Sequence, residues 1–253
     1  MARKEFFYAP PQHIVYKQKR PISFRLQGEE YRHLRRVLRH QIGDTIWAVD
    51  GQGMALFGEI MRMDETAAEV KVLHVQPQLG EPAFQLTLAV GLPKLPRFEL
   101  VVEKGTELGV HAFQPVISRY SVVKPSASKA ERWQRIAVAA MKQCGRSRLP
   151  DVLAPVGFDE LMAMSAEFDY RWIAHAPAPR DAVLWDGRGE AGDAPERGRG
   201  VLLIGPEGGF SDHELQQAVE HGFAFMGLGP RRLRTETATI VAATLLLRRW
   251  GAL

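Results

Sequence analysis

Residues 201–204, Val-Leu-Leu-Ile, form an apolar run that stops at Gly205-Pro206-Glu207-Gly208-Gly209. Such a run offers no polar face to water, so a strand built from it belongs in the middle of a sheet covered on both sides. Ser211 and Glu214 follow at the S-x-x-E spacing of a capping box, and a helix is predicted to begin directly after the glycines. Strand, tight corner and helix make up the repeating unit of a parallel α/β sheet. Ligands of such sheets bind beyond the carboxyl ends of the strands.

The rhythm around this stretch agrees. From residue 84 onward strands alternate with helices: "FQLTLAV", "AFQPVIS", "DYRWIAHA", "GVLLIG" and "FAFMGLG" read as strands. "RFELVVEKGTELG", "SKAERWQRIAVAAMKQCGR", "SDHELQQAVEHG" and "TETATIVAATLLLRRW" read as helices, the first ending at Gly109. Residues 1–75 differ. "ISFRL", "DTIWAVDG", "ALFGEIMRM" and "AAEVKVLHV" read as strands around one short helix, "GEEYRHLRRVLRH", with Tyr31, Leu34, Val37 and Leu38 on its apolar side. "QPQLGEP", residues 76–82, is predicted to link the two parts. The Ala-, Pro-, Gly- and Arg-rich stretch 176–200 is expected to be a mobile surface loop.

Net charge is only +4, but the first forty residues carry ten Lys or Arg against three acids, an excess of seven. That imbalance is the footprint of a polyanionic partner, although a solvated basic face has the same composition. One cysteine, Cys144, excludes an internal disulfide, and no apolar run reaches membrane-spanning length. A soluble cytoplasmic protein is expected. Cys144 is expected to be a packed thiol and His33 a helix residue rather than a catalyst.

The Gly205–Gly209 corner fails the common nucleotide patterns. No GK[ST] follows it, no G-x-G-x-x-G follows the first strand, and Glu207 would repel phosphate. A hydroxylated or cationic ligand suits it, and so does a purely structural turn. A second corner, residues 227–234, again joins a strand to a helix and carries Arg231, Arg232 and Arg234, with Thr235 as the predicted N-cap. A neutral or acidic corner beside a basic one suggests a small-molecule pocket next to an anionic polymer.

Together, "LLIGPEGGFS" and "LGPRRLRTETA" resemble the paired signature of the RsmE family of ribosomal RNA methyltransferases, within the SPOUT class. "YRHLRRVLR", "EKGTELGV" and "KQCGR" match the same family in the expected order, so the resemblance covers nearly the whole chain. Arg232 stands where the family usually has an aliphatic residue, and the 176–200 loop looks long. The resemblance implies an α/β fold: a SPOUT-type trefoil-knotted parallel sheet domain over residues 84–253, with a smaller N-terminal PUA-like β-barrel RNA-binding domain over residues 1–75.

The resemblance also implies S-adenosyl-L-methionine held by Gly205, Glu207, Gly208, Gly209, Leu228, Gly229, Leu233 and Arg234, and no metal. A Cβ at Gly208 is expected to intrude on that ligand. The implied reaction methylates N3 of a uridine in 16S rRNA or the small ribosomal subunit. Arg234 is the first candidate for stabilising the uridine anion, with Glu236 and Glu207 as candidates for orienting or accepting a proton. Arg32, Arg35, Arg36, Arg39, Lys94 and Arg97 are expected to face RNA, and a homodimer is implied. The rival readings are a non-catalytic RNA-binding or ribosome-assembly factor of the same fold, and an α/β enzyme for another nucleotide or a small acid.

Overall fold

The computed structural model describes residues 5–93, 96–121, 127–185 and 197–251, without the side chains of 127 and 128. They form two compact units. The first comprises residues up to Glu81 together with Val138–Leu149; the second comprises Pro82–Ala137 and residues from Pro150 onward.

The first unit contains β1 (Phe6–Tyr8), β2 (Ile14–Lys17), β3 (Arg20–Gln27), α1 (Gly28–Arg32), β4 (Thr45–Val49), β5 (Met54–Met63) and β6 (Ala67–Pro77). The strands form one six-stranded sheet in the order β1-β4-β5-β6-β3-β2, antiparallel except for the β1–β4 pair. All six strands contribute to one core, from Phe7 through Ile14, Phe24, Ile46 and Leu56 to Val70. α1 passes into a π-helical turn, His33–Val37, in which Leu38 N donates to His33 O at 3.1 Å. The wider turn shifts the phase of the side chains that follow. Tyr31 and Leu34 are buried, whereas Val37, expected on the apolar side, is 63% exposed.

The second unit contains β7 (Phe84–Gly91), α2 (Arg97–Leu108), β8 (Ala112–Ile117), the part of α3 (Ala127–Cys144) up to Ala137, β9 (Asp151–Val152), β10 (Val156–Gly157), α4 (Phe158–Met164), β11 (Tyr170–Ala174), β12 (Gly198–Ile204), α5 (Asp212–Glu220), β13 (Ala224–Met226) and α6 (Thr235–Arg249). Its strands form a seven-stranded sheet in the order β10-β8-β7-β12-β11-β13, with β9 beside β8. Every pairing is parallel. β12 lies between β7 and β11, and Val201 through Ile204 are buried. Each such side chain stabilises the fold by about 1.5–3 kcal/mol relative to an exposed one, which fixes β12 at the sheet centre.

Two glycines tighten this sheet. A Cβ at Gly200 would stand 2.6 Å from Phe84 and Trp172, and one at Gly105 of α2 would stand 2.5 Å from Phe113. Trp250, just past α6, stacks on Phe84 at 4.5 Å and closes the amino-terminal end of the strands. The carboxyl ends are left to the loops. Cys144, expected to be packed, is exposed: it is the last residue of α3, and Gly145 turns the chain away in the left-handed region at φ 79. Among the described residues no helix is long and apolar enough to cross a membrane.

Candidate functional site

Three loops leave the carboxyl ends of β11, β12 and β13 side by side and enclose a cavity of about 570 Å³. Its walls include Ala174 to Ala176, Ile204 to Phe210, and Arg232 to Thr235. A neighbouring cavity of about 610 Å³ shares Ala174 to Ala176, Arg232 and Leu233, and adds Leu228, Gly229 and Arg231.

The first corner is a β-turn in which Gly209 N donates to Pro206 O at 2.9 Å. Gly209 then adopts φ 74, a conformation open to glycine at little cost, and Ser211 caps α5. The predicted capping box is present. Glu214 Oε2 accepts from Ser211 N at 2.8 Å, and Ser211 Oγ accepts from Glu214 N at 3.3 Å. Glu214 Oε1 also accepts from Arg119 N at 2.8 Å, fixing the segment after β8 to the start of α5.

That segment explains Gly208. A Cβ there would stand 2.7 Å from Tyr120 Cβ, so a protein side chain already leaves no room for one at this wall of the cavity. Gly91 at the end of β7 has the same role toward the corner, since its Cβ would lie 2.7 Å from Pro206 N. Sequence reasoning passed over Gly91, although a glycine ending an otherwise apolar strand signals a close backbone approach.

The second corner is fastened to the first by two hydrogen bonds. Thr235 Oγ1 donates to Gly205 O at 3.0 Å, and Arg232 Nη2 donates to Glu207 O at 2.9 Å. The N-cap of α6 is therefore Arg234, not Thr235, because the Thr235 hydroxyl is turned to the neighbouring loop. Arg232, the departure from the family pattern, is one of the fasteners. Arg234 lines the cavity and is exposed. Its side chain makes no hydrogen bond or ion pair among the described residues.

The acidic candidates meet a common cation. Arg97 Nη1 lies 2.6 Å from Glu207 Oε1, and Arg97 Nε lies 3.7 Å from Glu236 Oε1. Arg97, expected to face RNA, is thus engaged by two carboxylates at the start of α2. Glu236 lines neither cavity; its side chain is 12% exposed, and Oε2 has no hydrogen-bond partner among the described residues. Lys94 lies outside the described residues. Of the basic residues on and after α1, Arg35 is held internally, donating to Tyr31 Oη at 3.0 Å and to Asp64 O at 3.3 Å. Arg32 lies 3.8 Å from Glu29, while Arg36 and Arg39 are exposed and unpaired among the described residues.

His175 was not anticipated. It follows the last residue of β11, lines both cavities, and sets its ring 6.3 Å from Phe210 and 6.5 Å from Phe225. Burial pushes its pKa below the ordinary imidazole value. The rule that pointed to the ends of "GVLLIG" and "FAFMGLG" applies equally to the end of "DYRWIAHA".

The sequence matches two domain families: the RNA methyltransferase domain over residues 80–247 and the RNA methyltransferase PUA domain over residues 26–73. Ribosomal RNA small subunit methyltransferase E of Bacillus subtilis is 31% identical over 228 residues, covering 88% of this chain and 89% of the relative. Its namesake in Synechocystis is 34% identical over 217 residues, covering 86% of this chain and 70% of the relative. The crystal structure of the Neisseria gonorrhoeae enzyme of that name, bound to S-adenosyl methionine, superposes with a TM-score of 0.75 at 31% identity, covering 97% of this chain and 98% of that one. With its two glycine-rich corners joined at the carboxyl ends of a parallel sheet, the chain belongs to the RsmE family of small-subunit ribosomal RNA methyltransferases.

Proposed function

We propose that this protein transfers a methyl group from S-adenosyl-L-methionine to N3 of a uridine in 16S rRNA, acting in the cytoplasm on RNA or the small subunit. The observation that carries the reading is the pair of fastened corners around one cavity beyond β11, β12 and β13. The residues present fit the cofactor. The cavity falls within the range of small-molecule sites, and its walls offer the backbone of Gly205 to Gly209. A Cβ at Gly209 or Gly229 would meet nothing within 4 Å, so both corners leave free space at the backbone. When bound, the cofactor supplies an electrophilic methyl group on a positively charged sulfur.

The chain's own part is electrostatic. Uracil N3 must lose a proton, and the negative charge that develops spreads onto the ring oxygens. Arg234, exposed on the cavity wall, offers a planar donor pair to that charge. Glu207 and Glu236 act through Arg97: they hold the start of α2 against the first corner and the start of α6, and Glu207, on the cavity wall, is the nearer candidate for receiving a proton. Residues 1–75 hold the RNA and residues 84–253 carry out the transfer. Arg36 and Arg39, with Arg32, meet phosphates, which position RNA without reading its sequence. Lys94 is assigned to the same task from the family resemblance alone.

The active form is a homodimer. α6 buries Ala242, Ala243, Leu246 and Leu247 but leaves Val241 37% and Leu245 43% exposed, and Leu100 of the adjoining α2 is 39% exposed. A helix apolar on both sides calls for cover on both sides. The deciding experiment incubates the protein with radiolabelled S-adenosylmethionine and unmethylated small subunits, then maps the modified base. Label at a uridine N3 is expected. RNA binding without transfer would favour a non-catalytic assembly factor.

A further inference from the structure

Among the described residues, His175 is the one with a titratable side chain near neutral pH that lines both cavities at the corners. Its position is fixed from two directions: Phe210, directly after the first corner, and Phe225, in β13, flank its ring. Resting on the cofactor reading above, we propose that His175 makes the pocket sensitive to the charge of its occupant. The neutral imidazole accepts the sulfonium-bearing methyl donor, and the protonated imidazolium disfavours it far more than it disfavours the uncharged thioether product.

The argument is electrostatic. Donor and product share an adenosine, an ammonium and a carboxylate; they differ by one methyl group and one positive charge. An imidazolium on the cavity wall repels a sulfonium bound in the same cavity, and two like charges about 6 Å apart near a protein surface shift an equilibrium by about tenfold or more. Burial beside Phe210 and Phe225 favours the neutral imidazole by holding its pKa below the ordinary value. Among the described residues, the other charged groups around His175 are Glu207, Arg231, Arg232 and Arg234 on the cavity walls, and Arg180 and Asp181 on its own loop. Guanidinium groups keep their charge throughout the range in question. The carboxylates are controlled for by a variant that changes only the histidine.

The test is calorimetric binding of S-adenosylmethionine and S-adenosylhomocysteine between pH 5 and 8, for wild type and His175→Gln. For wild type, the ratio of donor Kd to product Kd should rise at least about fivefold from pH 8 to pH 5; for His175→Gln it should stay flat. A flat wild-type ratio overturns the proposal, and so does a ratio that rises equally in the variant. If the variant misfolds, NMR titration of the wild-type ring decides. Linkage requires a lower His175 pKa in the donor complex than in the product complex, and equal values overturn the role. Wild-type protein that bound neither molecule would overturn the cofactor reading itself, and the role of His175 with it.

Discussion

Arg97 Nη1 lies 2.6 Å from Glu207 Oε1, and the same guanidinium reaches Glu236 at 3.7 Å, so one side chain holds the start of α2 to the first corner and to the start of α6. Glu236 is the more deeply buried partner. Arg97→Ala leaves it a buried carboxylate without a cation and is expected to lower stability by about 1–3 kcal/mol, at the low end if water reaches the vacated space. Adding Glu236→Gln should recover most of the loss. Urea denaturation of the two single variants and the double gives the coupling; strictly additive losses would show that the two residues do not act together.

Gly208 and Gly209 should fail for different reasons. Gly208→Ala pushes a methyl group into Tyr120 Cβ, which stands 2.7 Å from the ideal Cβ position. Gly209→Ala meets open space but holds a non-glycine residue at φ 74, at a cost of about 1 kcal/mol. Tyr120→Gly should therefore rescue the thermal stability of Gly208→Ala and do nothing for Gly209→Ala. If Gly208→Ala alone melts like wild type, the close approach has no energetic weight.

The exposed arginines should separate into two classes. Replacing Arg32 and Arg36 with Ala should weaken RNA binding and reduce the log–log salt slope by about 0.7–0.9 per lost phosphate contact, with cofactor affinity unchanged. Arg234→Ala should bind RNA nearly as well but slow single-turnover methylation at saturating RNA by about a hundredfold or more, with only partial rescue by Lys. A wild-type rate for Arg234→Ala under those conditions would reduce Arg234 to a loop residue. Arg35 is left out of the first pair because its removal also breaks the bonds to Tyr31 and Asp64.

Asp50 in the first unit should give stability a recognisable pH dependence. It is 0% exposed; Oδ1 accepts from Gln52 N at 2.7 Å and Met54 N at 2.8 Å, while Oδ2 has no partner among the described residues. Burial raises its pKa, with the backbone bonds opposing. Between the unfolded and the raised folded value the native state binds more protons, so this contribution weakens as pH rises through that window. Asp50→Asn keeps the acceptor and removes the charge, and it should flatten the trend without loss of stability at pH 7. Asp50→Ala removes the acceptor of the part-buried Gln52 and Met54 N–H groups and should cost about 1–3 kcal/mol. A steeper pH dependence in Asp50→Asn would assign the trend to another group.

The parallel sheet was legible because Val201–Ile204 of β12 are apolar without interruption and the helices around the sheet carry clear stops, such as Gly109 at φ 98. The two corners were legible because glycine and proline interrupt those strands at their carboxyl ends. β1, β2 and the two-residue β9 and β10 were missed, as such short pieces contain too few residues to display a period. Val37 was misplaced because a π turn leaves no mark on the spacing of apolar residues. The roles of Arg97, Arg35 and Gly208 depend on partners 110, 29 and 88 positions away along the chain, and pairings at that range are properties of the fold.

Glu81 and Arg146 form an ion pair whose side chains are each 4% exposed, and Glu81 Oε1 also accepts from Arg148 N at 2.8 Å. The loop around Gly51 to Gly53 bonds to the same stretch through Gly53 N to Ser147 O and Leu149 N to Gly51 O. The first unit is therefore not a portable module. A gene cut after residue 81 would yield a polypeptide whose last acidic side chain has lost its cation, with a raw edge where Val138–Leu149 belongs. Recombination could exchange this unit between relatives only by crossovers that carried both of its segments together.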